Sequence, residues 1–157
     1  MRKFEKISFE QFKKDVCDDI KLYESIKLPK RSTKHSAGYD IRSIEDIVIN
    51  PLESKIIKTG LKVCMNDDEV FLIVDRSSFG YKYDITLSNS VGVIDSDYYN
   101  NSDNEGHFSI KLINHGNKSL HIKIGDRIAQ GLFIKYLKVD NEEDIENQRT
   151  GGFGSTG

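Results

Sequence analysis

Five stretches of this sequence interrupt the pattern around them, and each carries residues able to do chemistry. "DRSSFG" (75–80) sets Arg76, Ser77 and Ser78 side by side. Arginine offers a planar fork for phosphate oxygens, and the serines add hydroxyls and backbone N–H groups. "NSVGVIDSDYYNN" (89–101) runs from an apolar strand straight into Asp95 and Asp97. Their i, i+2 spacing puts both on one side if the strand continues. A carboxylate at such a strand end can act as a general base on a water. Tyr98 beside it has a flat apolar face and a polar tip. "SAGYDI" (36–41) has small residues that let backbones approach closely, followed by the acid Asp40. "GDRIAQGLF" (125–133) holds Gln130 in an apolar run, and a buried glutamine must have partners. The chain ends in "RTGGFGSTG" (149–157), four glycines in nine residues. Glycine-rich backbone can wrap phosphates with successive N–H groups. Arg149 adds charge, Ser155 and Thr156 add hydroxyls. It is not a Walker A loop, since no lysine precedes the serine and no strand–loop–helix context surrounds it.

Each stretch alone has a plainer reading. "SAGYDI" is then a strand start with a charge at its rim. "DRSSFG" is a turn with a surface salt bridge between Asp75 and Arg76. Asp95 and Asp97 are solvated acids at a hairpin, Gln130 is bonded to backbone, and the tail is disordered.

The elements that must position these residues are mostly strands. Residues 8–20 read as a short helix, with Ser8 and Gln11 as a capping box and Phe9, Phe12 and Val16 on one face. After that the period is two. "YDIRS", "DIVIN", "SKIIKTGLKVCM", "EVFLIVD", "HFSIKLIN", "LHIKI" and "RIAQGLFIKYLKV" are separated by turn signals such as Asn50-Pro51 and Gly125-Asp126. Many short strands at this spacing predict an all-β sandwich or barrel. The acidic stretch 139–148 reads as an exposed connector, so the glycine-rich end hangs from a mobile arm.

At 157 residues the chain suits one domain. With 23 Lys+Arg against 25 Asp+Glu it offers no electrostatic case for a general nucleic-acid or membrane binder. Cys17 and Cys64 are too few for a disulfide framework and lack metal-ligand spacing, which suits reduced thiols in a cytoplasmic protein. No stretch approaches the ~20 apolar residues that span a bilayer, and the start has no apolar run of signal-peptide length.

Taken together and in order, "AGYDI", "RSS", "GVIDSDY", "GDRIAQ" and "GGFGSTG" resemble the five motifs of the trimeric deoxyuridine triphosphate nucleotidohydrolases, the dUTPases. The resemblance runs from about residue 22 to the end. It implies a single-domain distorted β-barrel or jelly roll (22–138) and a flexible arm (139–157), and leaves an N-terminal helical extension (1–21) outside the match. It implies a homotrimer with three sites at subunit interfaces, the arm reaching onto a neighbour. It also implies Mg²⁺-dependent hydrolysis of dUTP to dUMP and pyrophosphate, in a bacterial or phage-infected host cytoplasm.

By the same resemblance Asp95 would activate the attacking water and hold the sugar 3′-hydroxyl. Tyr98 would pack on the deoxyribose and leave no room for a 2′-hydroxyl. Asn89, the backbone of Val93 and Ile94, and the facing strand near Ser109 would read the uracil. Arg76, Ser77 and the N–H of Ser78 would hold phosphates, with Ser77 on the leaving-group oxygen. Gln130 would hold the α-phosphate or a water near it, and Asp40 would act on the metal's water shell. Phe153 would cover the base, while Arg149, Gly154, Ser155 and Thr156 would close on the β- and γ-phosphates. There are departures from the family pattern. Arg149 sits one residue closer to the glycine pair than is common, Asp75 stands where a proline is common, and the turn after Tyr98 is long. Two rivals remain: a dCTP deaminase of the same fold, which needs a glutamate where Lys111 stands, and a non-catalytic nucleotide-binding or interaction module.

Overall fold

The period-two segments form the strands of the computed structural model, which describes residues 1–143 and Gly152. The strands are β1 (Lys3–Lys6), β2 (Lys30–Arg31), β3 (Tyr39–Arg42), β4 (Ile47–Ile49), β5 (Ser54–Lys58), β6 (Leu61–Cys64), β7 (Glu69–Val74), β8 (Ile85–Leu87), β9 (Gly92–Asp95), β10 (Ser109–Asn114), β11 (Leu120–Ile122) and β12 (Arg127–Lys135). The helices are α1 (Phe9–Asp15), α2 (Ile20–Ser25) and α3 (Ser77–Tyr83). The strands make four antiparallel sheets: β2-β3-β12-β7-β9, β5-β10-β8, β1-β6 and β11-β4. This is a distorted jelly-roll sandwich rather than one closed barrel.

The alternation explains the core. Along β7, Glu69, Phe71 and Ile73 turn inward and Val70, Leu72 and Val74 are half-buried. Phe71 meets Phe133 with ring centroids 4.9 Å apart, and Phe4 at 5.4 Å. Burying one such side chain contributes roughly 1.5–3 kcal/mol. Gly131 on β12 is required by this packing, since a Cβ there would lie 1.9 Å from Phe71 Cζ.

The structure departs from the pattern at four places. The segment 8–20 is not one helix. Ser8 does cap α1, accepting from the Gln11 amide at 3.1 Å, but α1 ends at Asp15. Asp19 then caps α2, accepting from the amides of Lys21 and Leu22. An acid is a good N-cap and a poor helix C-terminal residue, so Asp18-Asp19 divides the segment. The N-terminal segment also holds a strand, β1, paired with β6 from Lys3 opposite Cys64 to Lys6 opposite Leu61. "DRSSFG" opens helix α3, which ends at Asp84 in a left-handed conformation (φ 53°). Last, β9 stops at Asp95 and Ser96–Tyr98 is a 3-10 turn, so Asp95 and Asp97 do not continue as same-side strand neighbours.

Candidate active site

The site begins at a tight turn. Ser90 adopts φ 62°, and its amide donates to the Leu87 carbonyl at 3.1 Å, which places Asn89 at the rim of a cleft. From there β9 runs along β7, with Gly92 opposite Ile73 and Asp95 opposite Val70. Gly92 lets β9 cross Ile73, since a Cβ on it would meet Ile73 Cβ at 3.1 Å. The cleft holds about 280 Å³ and is lined by Asn89, Val93, Ile94, Asp95, Tyr98 and Ser109, with Ile73 and Phe108 as apolar wall. That volume suits one small ligand. Six predicted residues therefore meet in one place.

Tyr98 is buried, and its ring lies where Gly152 approaches: a Cβ on Gly152 would lie 2.8 Å from Tyr98 Cε2. The Tyr98 hydroxyl donates to the His107 carbonyl at 3.0 Å and accepts from Asn104 Nδ2 at 2.8 Å. The long turn after Tyr98 is built around buried Asn101. Its Oδ1 accepts from the amides of Asp103 and Asn104, and its Nδ2 donates to the Tyr98 carbonyl.

A second group forms at the other end of the large sheet. Arg42, Arg76, Ser78, Lys82 and Arg127 line a cleft of about 380 Å³. Arg76 Nη1 donates to the Arg127 carbonyl at 3.0 Å, and its guanidinium lies 5.7 Å from the Phe79 ring centroid. Burial, then the nearby Arg127, pulls the Arg76 pKa below its ordinary value. A half-buried guanidinium beside other arginines is a receptor for anions. Ser77 is exposed and opens α3 beside Ser78; the first amides of a helix have no carbonyl of their own helix to bond.

Asp75 does not pair with Arg76. Its Oδ1 accepts from the Leu87 amide at 2.6 Å, tying α3's entry to β8, and burial pushes its carboxyl up against the pull of that amide. Gln130 is half-buried, and its Nε2 donates to the Asp75 carbonyl at 3.2 Å. Gly38 makes room for it, because a Cβ there would lie 2.3 Å from Gln130 Oε1. The small residues of "SAGYDI" thus have a specific purpose. Asp40, opposite Gln130 across β3–β12, accepts at Oδ2 from Ser32 and, at 3.3 Å, from Arg127.

The two groups are well separated in one chain. Asp95 lies opposite Val70 of β7, and Gln130 opposite Val74. At ~3.3 Å per residue that is about 13 Å along the strand, and the two flanking strands add about 10 Å sideways. Arg76 lies further on. Arg149, Phe153, Gly154, Ser155 and Thr156 lie outside the described residues. Sequence reasoning missed Ile73 and Phe108, which looked like ordinary core, and Arg42 and Arg127. Arg127 stands inside "GDRIAQ", where it could have been noticed.

The dUTPase family model matches residues 24–157. The chain belongs to the dUTPase family. A deoxyuridine 5′-triphosphate nucleotidohydrolase of Lactococcus lactis is 51% identical over 133 residues, covering 84% of this chain and 89% of that protein. One from Nautilia profundicola is 39% identical, covering 87% and 95%. Among solved structures, a dUTPase from Streptococcus mutans superposes with a TM-score of 0.71 at 37% identity, covering 88% of this chain and 98% of that one. A mutant dUTPase from phage phi11 of S. aureus, described with a structural Mg(II) ion, has a TM-score of 0.68 at 21% identity, covering 94% and 97%. Residues 1–23, which carry β1 and α1, fall outside the family match. Among the described residues no helix is long and apolar enough to cross a membrane.

Proposed function

We propose that this chain hydrolyses dUTP to dUMP and pyrophosphate, as a homotrimer whose sites are shared between subunits. The observation that carries this reading is the separation of the Asp95 cleft from Gln130 and the Arg76 cleft. One α-phosphate cannot touch both in a single chain, whereas a symmetric ring brings one subunit's cleft against the next subunit's arginines. Val93 and Ile56, 62% and 59% exposed, give the apolar surface such a contact would cover.

Uracil enters the cleft between Asn89 and Ser109 and meets the backbone of Val93 and Ile94. Its sugar packs on Tyr98. Asp95 accepts a proton from water, whose oxygen bonds to the α-phosphorus as the bond to the α,β-bridging oxygen breaks. Ser77 donates to that leaving oxygen, Arg76 and the Ser78 amide hold its charge, and Gln130 holds the α-phosphate. Positioned donors of this kind are the main source of rate in phosphoryl chemistry. Arg149, Phe153, Gly154, Ser155 and Thr156 close over the phosphates and base, excluding water. The two free cysteines, Cys17 and Cys64, suit a reducing cytoplasm.

The residues present fit Mg²⁺ carried on the triphosphate. Asp40 stands beside the arginines and is already bonded through Oδ2, so bonding to a metal-bound water suits it better than direct ligation. Mg²⁺ keeps its waters and binds through phosphates; when bound it screens their charge and helps pyrophosphate leave.

The test is subunit complementation. Asp95→Asn and Arg76→Ala proteins are each made alone and then co-expressed. A shared site leaves about a quarter of sites intact in randomly mixed trimers, so activity returns. Co-expression that stays as inactive as either parent overturns the shared site.

A further inference from the structure

We propose that the N-terminal segment outside the family match positions Tyr98, through the bond between half-buried Asp15 and buried His107, and thereby sets discrimination against the 2′-hydroxyl. This rests on the reading of Tyr98 as the sugar platform.

His107 is 2% exposed, and both ring nitrogens are bonded. Its Nε2 accepts from the Gly60 amide at 3.0 Å, so the ring proton sits on Nδ1. That Nδ1 donates to Asp15 Oδ2 at 2.6 Å, at the last residue of α1. The carbonyl of the same histidine receives the Tyr98 hydroxyl at 3.0 Å. The His107 amide donates to the Asn104 carbonyl at 3.0 Å, and Asn104 Nδ2 donates to the Tyr98 hydroxyl. One buried residue thus links α1 to the tip of the ring.

A second set of bonds ties the same loop to the same segment. Glu105 accepts at Oε2 from the Ser8 amide, at 2.9 Å, and at Oε1 from the Ser8 hydroxyl. Lys62 on β6 bridges Glu105 and Asn100, and Tyr99 bonds to Glu5 of β1. Ser8 therefore caps α1 and holds the loop at once. The loop needs such support, because Asn100, Glu105 and Gly106 all adopt positive φ. A Cβ on Gly106 would lie 2.6 Å from the Tyr98 carbonyl. Such a conformation persists only when its surroundings over-determine it.

Discrimination between a sugar with and without one hydroxyl depends on a wall that does not retreat. Removing Asp15 leaves the His107 Nδ1 proton buried without its acceptor, and the His107 carbonyl loses its fixed position. The ring can then yield to a 2′-hydroxyl.

The test is the ratio of kcat/KM for dUTP to that for UTP in wild type, Asp15→Ala, Asp15→Asn and Ser8→Ala. Asp15→Ala is expected to lower the ratio about tenfold, chiefly by lowering KM for UTP, with kcat for dUTP within about twofold. Asp15→Asn retains an acceptor for Nδ1–H and is expected to restore most of the ratio. Ser8→Ala, which leaves the histidine pair intact, is expected to lower it less. A wild-type ratio in Asp15→Ala, even with a lower melting temperature, overturns the positioning role. So does a loss in Asp15→Ala that Asp15→Asn shares fully. Wild type that turns over no dUTP would overturn the reading of the site and this inference together, whereas normal wild-type turnover with an unchanged ratio overturns this inference alone.

Discussion

Gly38→Ala asks whether a single methyl group, placed outside the two clefts, disables the reaction. The φ of Gly38 lies outside the left-handed region, so alanine brings no backbone strain and only the new contact matters. Its Cβ would stand 2.3 Å from Gln130 Oε1, where ordinary contact begins at 3.4 Å, so the amide must retreat by about 1 Å. The Nε2 bond to the Asp75 carbonyl, 3.2 Å long, is then lost. One such bond is worth about 1 kcal/mol net, or roughly 2–4 °C in Tm for a chain of this size. A reacting group misplaced by 1 Å costs about 10²-fold in rate. The expectation is a folded protein, slightly less stable, with kcat/KM for dUTP down about a hundredfold. The assay is pyrophosphate release, with Gln130→Ala and the double variant alongside. If Gly38 acts through Gln130, the double variant is no worse than Gln130→Ala alone. Additive losses, or a Gly38→Ala enzyme within twofold of wild type, would mean that Gly38 does not act through Gln130.

Three further outcomes are expected. Asp95→Asn keeps the shape of the cleft and removes the base, so dUMP binding by calorimetry stays near wild type while turnover falls about 10²–10⁴-fold. Removing residues 149–157 leaves the melting temperature unchanged within a few degrees, since the buried core cluster runs from Ile7 to Ala129, and cuts dUTP turnover by at least tenfold. His107 governs an acid limb of stability. Burial pulls its pKa below 6.5, with Lys58 adding to that and Asp15 and Glu105 opposing it. As pH falls below 6.5 the unfolded chain takes up the proton first, so this stability is whole above 6.5 and is lost on the way down. Burial pushes the Asp15 carboxyl up, but its bonds from His107 and Gln11 bring it net below its ordinary 3.8, so it stays ionised through this window. Melting temperatures between pH 7.5 and 5.5 should therefore fall more steeply in wild type than in His107→Gln, and parallel curves would contradict the account.

Strands with strict alternation, such as β7 and β10, were legible because their burial follows their own side chains. β1 was not, since "KFEK" holds one apolar residue and is a strand only through β6. α3 was missed because a Ser-Ser start after a strand looks like a turn, and its helical state depends on Asp75 and on buried Phe79. In the site, Asp95 and Tyr98 stood out by ending an apolar run. Gln130 stood out as a polar residue in another, and its partners proved to be the Asp75 backbone and the space over Gly38. The Asp15–His107 pair joins residues 92 positions apart, and no local pattern signals it.

Pyrophosphate release with Mg²⁺ from dUTP, dCTP, dTTP and UTP, each run alone with the nucleotide product identified, decides the reaction and its substrate. Rapid release from dUTP, yielding dUMP, is expected, with little from the other three. Deaminated product from dCTP, or no turnover of dUTP, would contradict it.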